Sequence, residues 1–171
     1  RRYRNLAFGQ TTDHLAGGVL RDLLLLIANQ SDGLDVALEI LSMRLFSDRS
    51  VGREYEPELL ELGRMLLPRV TFRRHDHRGD HELAAIAKAC FTAPDTALVA
   101  AELVRRIKQA VEANEISSLD NDDLLTALIG VQPVAVLDAL FEGDEQEQQM
   151  GVYLFELLFD HRSNPADAIS C

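Results

Sequence analysis

The densest chemistry in the chain lies in TFRRHDHRGDHELAAI, residues 71–86, where His75, His77 and His81 stand with Asp76 and Asp80 inside seven residues. Imidazole and carboxylate are zinc ligands, and a zinc ion with an open position activates water for hydrolysis. His75, His77, Asp80 and His81 are therefore the candidate metal ligands, and a metal-dependent hydrolase is one reading of the chain. The competing reading is a solvated basic loop whose Asp80 caps the helix that follows.

Spacing weighs against the metal. HDHRGDH is similar to the H-x-H-x-D-H motif of metallo-β-lactamase-type hydrolases, but one extra residue separates His77 from Asp80. A tetrahedral site needs each nitrogen about 2.0–2.1 Å from the ion, so an insertion redirects every later ligand. That family also sets its motif after a strand, and no strand pattern precedes this one. HELAA opens like the zincin helix H-E-x-x-H, yet Ala85 stands where the second histidine belongs.

Other chemistries fail on similar grounds. LDNDDLL, residues 119–125, resembles the start of a calcium loop. Counted from Asp120, position six is Leu125 and position twelve is Val131, where an EF-hand needs Gly and Glu. An acidic first helical turn is the reading that remains. There is no G-x-x-x-x-G-K-[ST] and no G-x-G-x-x-G, and AGGVL at 16–20 is a lone glycine pair in a helical pattern. Glu54, Glu56, Glu58 and Glu61 are close in sequence, but on an amphipathic helix they form a wet face. No catalytic residue and no cofactor site is assigned.

Arg64, Arg69, Arg73, Arg74 and Arg78 form a basic stretch. Guanidinium groups suit an acidic protein surface or a phosphate, so these five are the candidate partner-binding residues. The acidic run EGDEQEQ of the same chain is one candidate for such a surface. A nucleic-acid-binding array is the alternative. The net charge of −11 argues against it, because attraction to phosphate is largely electrostatic.

The elements that must position these residues read as helix throughout. Apolar residues recur at helical spacing over 13–29, 33–46, 56–67, 80–91, 94–113, 120–129, 133–141 and 144–160, and a ninth helix is expected at Asn164–Pro165. Proline opens several of these segments, at Pro57, Pro94 and Pro133, where a missing N–H costs nothing. Asp80 and Asp120 are read as caps. No turn dipeptide lies between alternating apolar and polar residues, so no hairpin of strands is expected. The links QSD, TA and VQ are short enough to force antiparallel helical hairpins.

A recurrence runs through these helices. VALEIL at 36–41 matches VAAELV at 99–104, and PDTALVAAEL from Pro94 matches PVAVLDAL from Pro133, 39 residues on. Residues 47–79 break this spacing. Asp stands just before Arg, with or without an intervening His, in FSDRS, HDHRGD and FDHRSNP, which reads as a structural joint between helices. The chain thus resembles HEAT- and armadillo-type repeats, with two helices per unit and a period near 40. The resemblance covers residues 23–46 and 83–141. It implies an all-α fold without a sheet, in which antiparallel hairpins stack into a short α-solenoid forming a single domain over 1–171. It implies a non-catalytic scaffold that binds another protein or a neighbouring domain.

Composition fits that picture. The apolar fraction of 47% and charged fraction of 26% are ordinary for a globular chain. LLLLIA at 23–28 is far short of the ~20 apolar residues that span a bilayer, and reads as a buried helix face. Two cysteines, Cys90 and Cys171, give no disulfide framework, which points to the reducing cytoplasm. The chain starts without methionine and ends in NPADAISC, as a segment of a larger protein would. Oligomeric state has no signature in the sequence.

Overall fold

The computed structural model describes residues 12–72 and 77–161, and among these every regular element is helical. The chain divides into two compact units, Arg1–Val70 and Thr71–Cys171. Each has its own apolar core. The division falls inside the stretch where the repeat spacing breaks.

The first unit holds α1 (Gly17–Ala28), α2 (Gly33–Ser50), α3 (Pro57–Leu66) and a 3₁₀ turn, Leu67–Arg69. Its core is built at helical spacing. Leu20 and Leu24 of α1 meet Leu38, Leu41 and Leu45 of α2 and Leu59, Leu62 and Leu66 of α3, all essentially fully buried. Each such side chain stabilises the fold by roughly 1.5–3 kcal/mol relative to exposure. α1 begins at Gly17 rather than at Asp13, so the glycine pair opens the helix instead of interrupting it. The LLLLIA run is only partly buried: Leu24 is inside, whereas Leu23 and Leu26 are 37% and 66% exposed. α2 continues to Ser50, well past its predicted end, because Arg44 and Asp48 extend the inward face with a buried ion pair.

The second unit holds α4 (His77–Cys90), a 3₁₀ turn (Pro94–Thr96), α5 (Ala97–Glu112), α6 (Asp122–Val131), α7 (Pro133–Phe141) and α8 (Glu145–His161). Its core takes Ile86 and Phe91 from α4 and its exit, Val104 and Ile107 from α5, Leu124 and Leu128 from α6, and Val136 and Leu140 from α7. Gln132 alone joins α6 to α7, so these two must fold back on each other. α8 opens with a capping box. The Asp144 N–H donates to Glu147 Oε2 at 2.8 Å, and the Glu147 N–H donates to Asp144 Oδ1 at 3.0 Å.

In the second unit helices two apart in sequence are the principal partners, α4 on α6 and α5 on α7, while in the first α1 packs on both α2 and α3. Their hydrogen bonds give the direction of each pair. Glu56, just before α3, reaches the first N–H of α1, and Arg69, just after α3, reaches the last carbonyl of α1, Ala28. Asp80 in the first turn of α4 meets the start of α6, while Gln132 at the end of α6 meets the carbonyls of Phe91 and Ala93 that follow α4. Like ends therefore lie together, and α1 runs parallel to α3 as α4 does to α6.

Candidate functional site

The histidine-rich stretch is where chemistry was expected. His75, Arg73 and Arg74 lie outside the described residues, and the side chains of His77 and Arg78 do too. The His81 side chain is 81% exposed just past the first turn of α4, its Nδ1 3.8 Å from Asp123. Asp80 behaves differently from a loop ligand. It is buried, and its two carboxylate oxygens accept the N–H groups of Asp123 and Leu124, at 2.8 and 3.0 Å. It does cap a helix, but not its own. The expected cap of α4 serves α6 instead, because α4 already begins at His77 and Asp80 is one turn inside it.

Asp120, expected to cap α6, accepts the N–H of Ser117 in the preceding turn. The residue before α6 is Asn121, which makes no side-chain cap. Two of the N–H groups that every helix start leaves open are thus filled from a residue more than 40 positions away. The carboxylates of Asp80, Asp122 and Asp123 come within 4.8 Å of one another. Such spacing suits a cation. The helix start accounts for it as well, because the positive end of the α6 dipole attracts these same carboxylates.

The basic stretch divides along similar lines. Arg69 donates to the carbonyl of Ala28 at 2.9 Å and lies 3.3 Å from Asn29 Oδ1. Its charge compensates the negative end of α1, which is a joint between helices. Arg64 sits half-buried in the last turn of α3. EGDEQEQ is also occupied within its own unit: Glu142 pairs with Arg105 through both carboxylate oxygens, and Asp144 with Glu147 forms the capping box.

Sequence reasoning missed the strongest polar centre. Arg44 is 2% exposed and spends its guanidinium on four acceptors. Nε donates to Asp48 at 2.9 Å, Nη1 to the carbonyls of Thr12 and Leu15, and Nη2 to Glu56 at 2.6 Å. Asp48, fully buried, also accepts from Arg53 at 2.9 Å. The other oxygen of Glu56 accepts the Gly17 N–H at 2.6 Å. One connected network thereby ties the entry to α1, the body of α2 and the start of α3. In FSDRS it is Asp48 that matters, holding Arg44 and Arg53, while Arg49 is exposed. The arginine that meets backbone carbonyls at this joint is Arg44. Its signal was legible: Arg44 and Asp48 stand four apart on the apolar stripe of α2, where charge survives only if paired.

The second unit has a counterpart in Lys108. It is buried, and its ammonium donates to the carbonyls of Leu140 at 2.9 Å and Glu142 at 3.1 Å, closing the end of α7. Arg106 lies over the ring of Phe72, 5.4 Å from its centroid, beside an open groove of about 370 Å³ edged by Thr71, Gln109 and Glu115.

These arrangements can brace helices, and among the described residues the sequence-predicted ligands that come near one another are Asp80, clustered with Asp122 and Asp123, and His81, 3.8 Å from Asp123. The exposed chemistry is apolar: Val19 and Leu26 on α1, Phe46 on α2, Leu98 on α5 and Val134 on α7 all stand more than half exposed. No helix among the described residues is long and apolar enough to cross a membrane. In comparisons with known protein families, with curated proteins and with solved structures, nothing matches the chain.

Proposed function

We propose that the chain is a non-catalytic, HEAT-like helical-repeat scaffold that presents its surface to another protein or domain. The observation that carries this reading is the pairing of like helix ends two elements apart, Glu56 with Gly17, Arg69 with Ala28, Asp80 with Leu124 and Gln132 with Phe91. In a stacked array each helix lies beside its counterpart in the next hairpin, and the polar groups at its ends are met by that neighbour. Asp80 and Glu56, two of the residues that attract a catalytic or metal reading, are used in this way. The large exposed apolar side chains are left for binding.

The test is site-directed photo-crosslinking in the cells that make the protein. A benzophenone amino acid replaces Leu26, Phe46, Leu98 or Val134 in turn. The expected result is a discrete protein adduct from at least one position, absent when the probe replaces the exposed Lys88. No discrete adduct from any of the four would overturn the reading.

A further inference from the structure

Leu98 of α5 and Val134 of α7 are the two most exposed large apolar side chains among the described residues, at 82% and 73%. They also stand level with each other. α5 and α7 pack together as parallel helices. Gln132, just before α7, donates to Thr96 Oγ1, just before α5, at 3.1 Å, and Lys108 near the end of α5 donates to the Leu140 carbonyl near the end of α7. Leu98 follows Thr96 by two residues, and Val134 follows Gln132 by two. Four residues further on, and so on the same side of each helix, comes an exposed carboxylate, Glu102 on α5 and Asp138 on α7. Seven residues beyond Leu98, Arg105 continues its row and reaches across to Glu142 at the exit of α7. The two rows therefore run side by side. Each takes an apolar step at the shared start and then an acidic one, and an ion pair joins them at the far end.

We propose that this α5–α7 face is the docking site for a basic amphipathic helix of another polypeptide, which sets apolar side chains on Leu98 and Val134 and, one turn along, Lys or Arg on Glu102 and Asp138. This rests on the scaffold reading and names the face and its partner. A helix laid between two others anchors itself by such a stripe. Charge decides the occupant. Residues 71–171 carry eighteen Asp and Glu against eight Lys and Arg, a net charge of −10. Asp138 has no hydrogen bond or ion pair with any described residue, and Glu102 meets Arg105 only at 3.5 Å. Arg105, the cation on this face, is already taken by both oxygens of Glu142. A cationic helix supplies the charge these carboxylates lack. A second copy pairing through the same face brings the same carboxylates and a further −10, and is repelled.

The probe is a labelled peptide of about 18 residues, or five helical turns, with a stripe of leucines and a lysine one turn from each. Fluorescence anisotropy is read against the whole chain. Saturable binding is expected, weaker by about tenfold or more in Leu98→Gln/Val134→Gln, by about threefold or more in Glu102→Gln/Asp138→Asn, and unchanged in Leu26→Gln. Circular dichroism checks that the variants melt as the parent does, which is expected because these side chains are exposed. A same-composition peptide scrambled to lose its stripe, and one carrying Glu in place of Lys, should each bind at least tenfold more weakly. Equal binding of either control peptide overturns the proposal, as does full binding by the apolar or the carboxylate variant, or none by the parent. Sedimentation of the free chain as a dimer that Leu98→Gln/Val134→Gln abolishes would also overturn it, in favour of self-association. A crosslinked adduct at Leu26 or Phe46 with no peptide binding defeats this proposal alone and leaves the scaffold standing.

Discussion

Asp80 and Leu124 are 44 positions apart in sequence and one hydrogen bond apart in space, the carboxylate of the first accepting the backbone N–H of the second at 3.0 Å. Because Asp80 also takes the N–H of Asp123, one buried side chain closes the start of α6 and fixes α4 beside it. Asp80→Ala should cost about 2 kcal/mol in urea denaturation, near the upper end for lost caps, since both N–H groups lose their partner in a buried place. Asp80→Asn keeps one acceptor and should cost about half as much. If the same carboxylate instead served mainly a metal, EDTA would lower the melting temperature. The expected shift on chelation is none.

The helical fold was legible because it rests on local chemistry. Apolar spacing, Pro57 and Pro133 at helix starts, and single-residue links such as Gln132 act within a few positions. The joints were not. Whether Asp80 caps α4 or α6, and whether Asp48 holds Arg49 or Arg44, depends on which helices come together, and no short window contains that. The sequence marks Asp80 as a cap but points to the wrong helix, and marks Asp48 as part of a joint without showing that it holds Arg44. Arg44 was overlooked because it reads as one more arginine until its phase on α2 is followed.

Arg44 gives the largest expected loss. Arg44→Met removes one partner of a buried ion pair, leaves Asp48 with Arg53 alone, and strands the carbonyls of Thr12 and Leu15. Breaking one side of such a pair costs about 3–5 kcal/mol. Arg49→Ala, at the exposed arginine beside it, should change stability by less than about 0.5 kcal/mol. Chemical denaturation of the two variants side by side decides the matter. Equal effects would mean that the network is not what holds the first unit together.

The Arg105–Glu142 pair links α5 to the exit of α7 and makes a smaller, pH-dependent contribution. Its hydrogen bond with Arg105, with the guanidinium charge adding to it, holds the Glu142 carboxyl below the ordinary glutamate range. A carboxyl depressed in the folded state binds fewer protons there than in the unfolded chain. The pair therefore stabilises fully above about pH 5, beyond the unfolded value, and loses that contribution as pH falls through the folded one. Both partners are more than a third exposed, so solvent screening limits the effect to a few tenths of a kcal/mol. Glu142→Gln should lower the denaturation midpoint slightly at pH 7, and the gap between parent and variant should close as pH falls below the ordinary glutamate range. A gap that persists at low pH would assign the loss to packing rather than charge.

Two glycines of the second unit should respond to alanine in opposite directions. At Gly130, in the last turn of α6, an added methyl meets nothing within 4 Å and the backbone has ordinary helical torsions. Gly130→Ala should stabilise by about 0.5–1 kcal/mol, through the reduced freedom of the unfolded chain. At Gly151, in the first half of α8, the same methyl would stand 1.9 Å from the carbonyl oxygen of Leu140. That oxygen belongs to α7 backbone and is already held by Lys108, so neither it nor the helix can step aside cheaply. Gly151→Ala should therefore push α8 off α7 and cost about 2 kcal/mol or more. Thermal melts of the two variants should therefore move apart from the parent on either side. A neutral Gly151→Ala would show that α8 does not rest on Leu140.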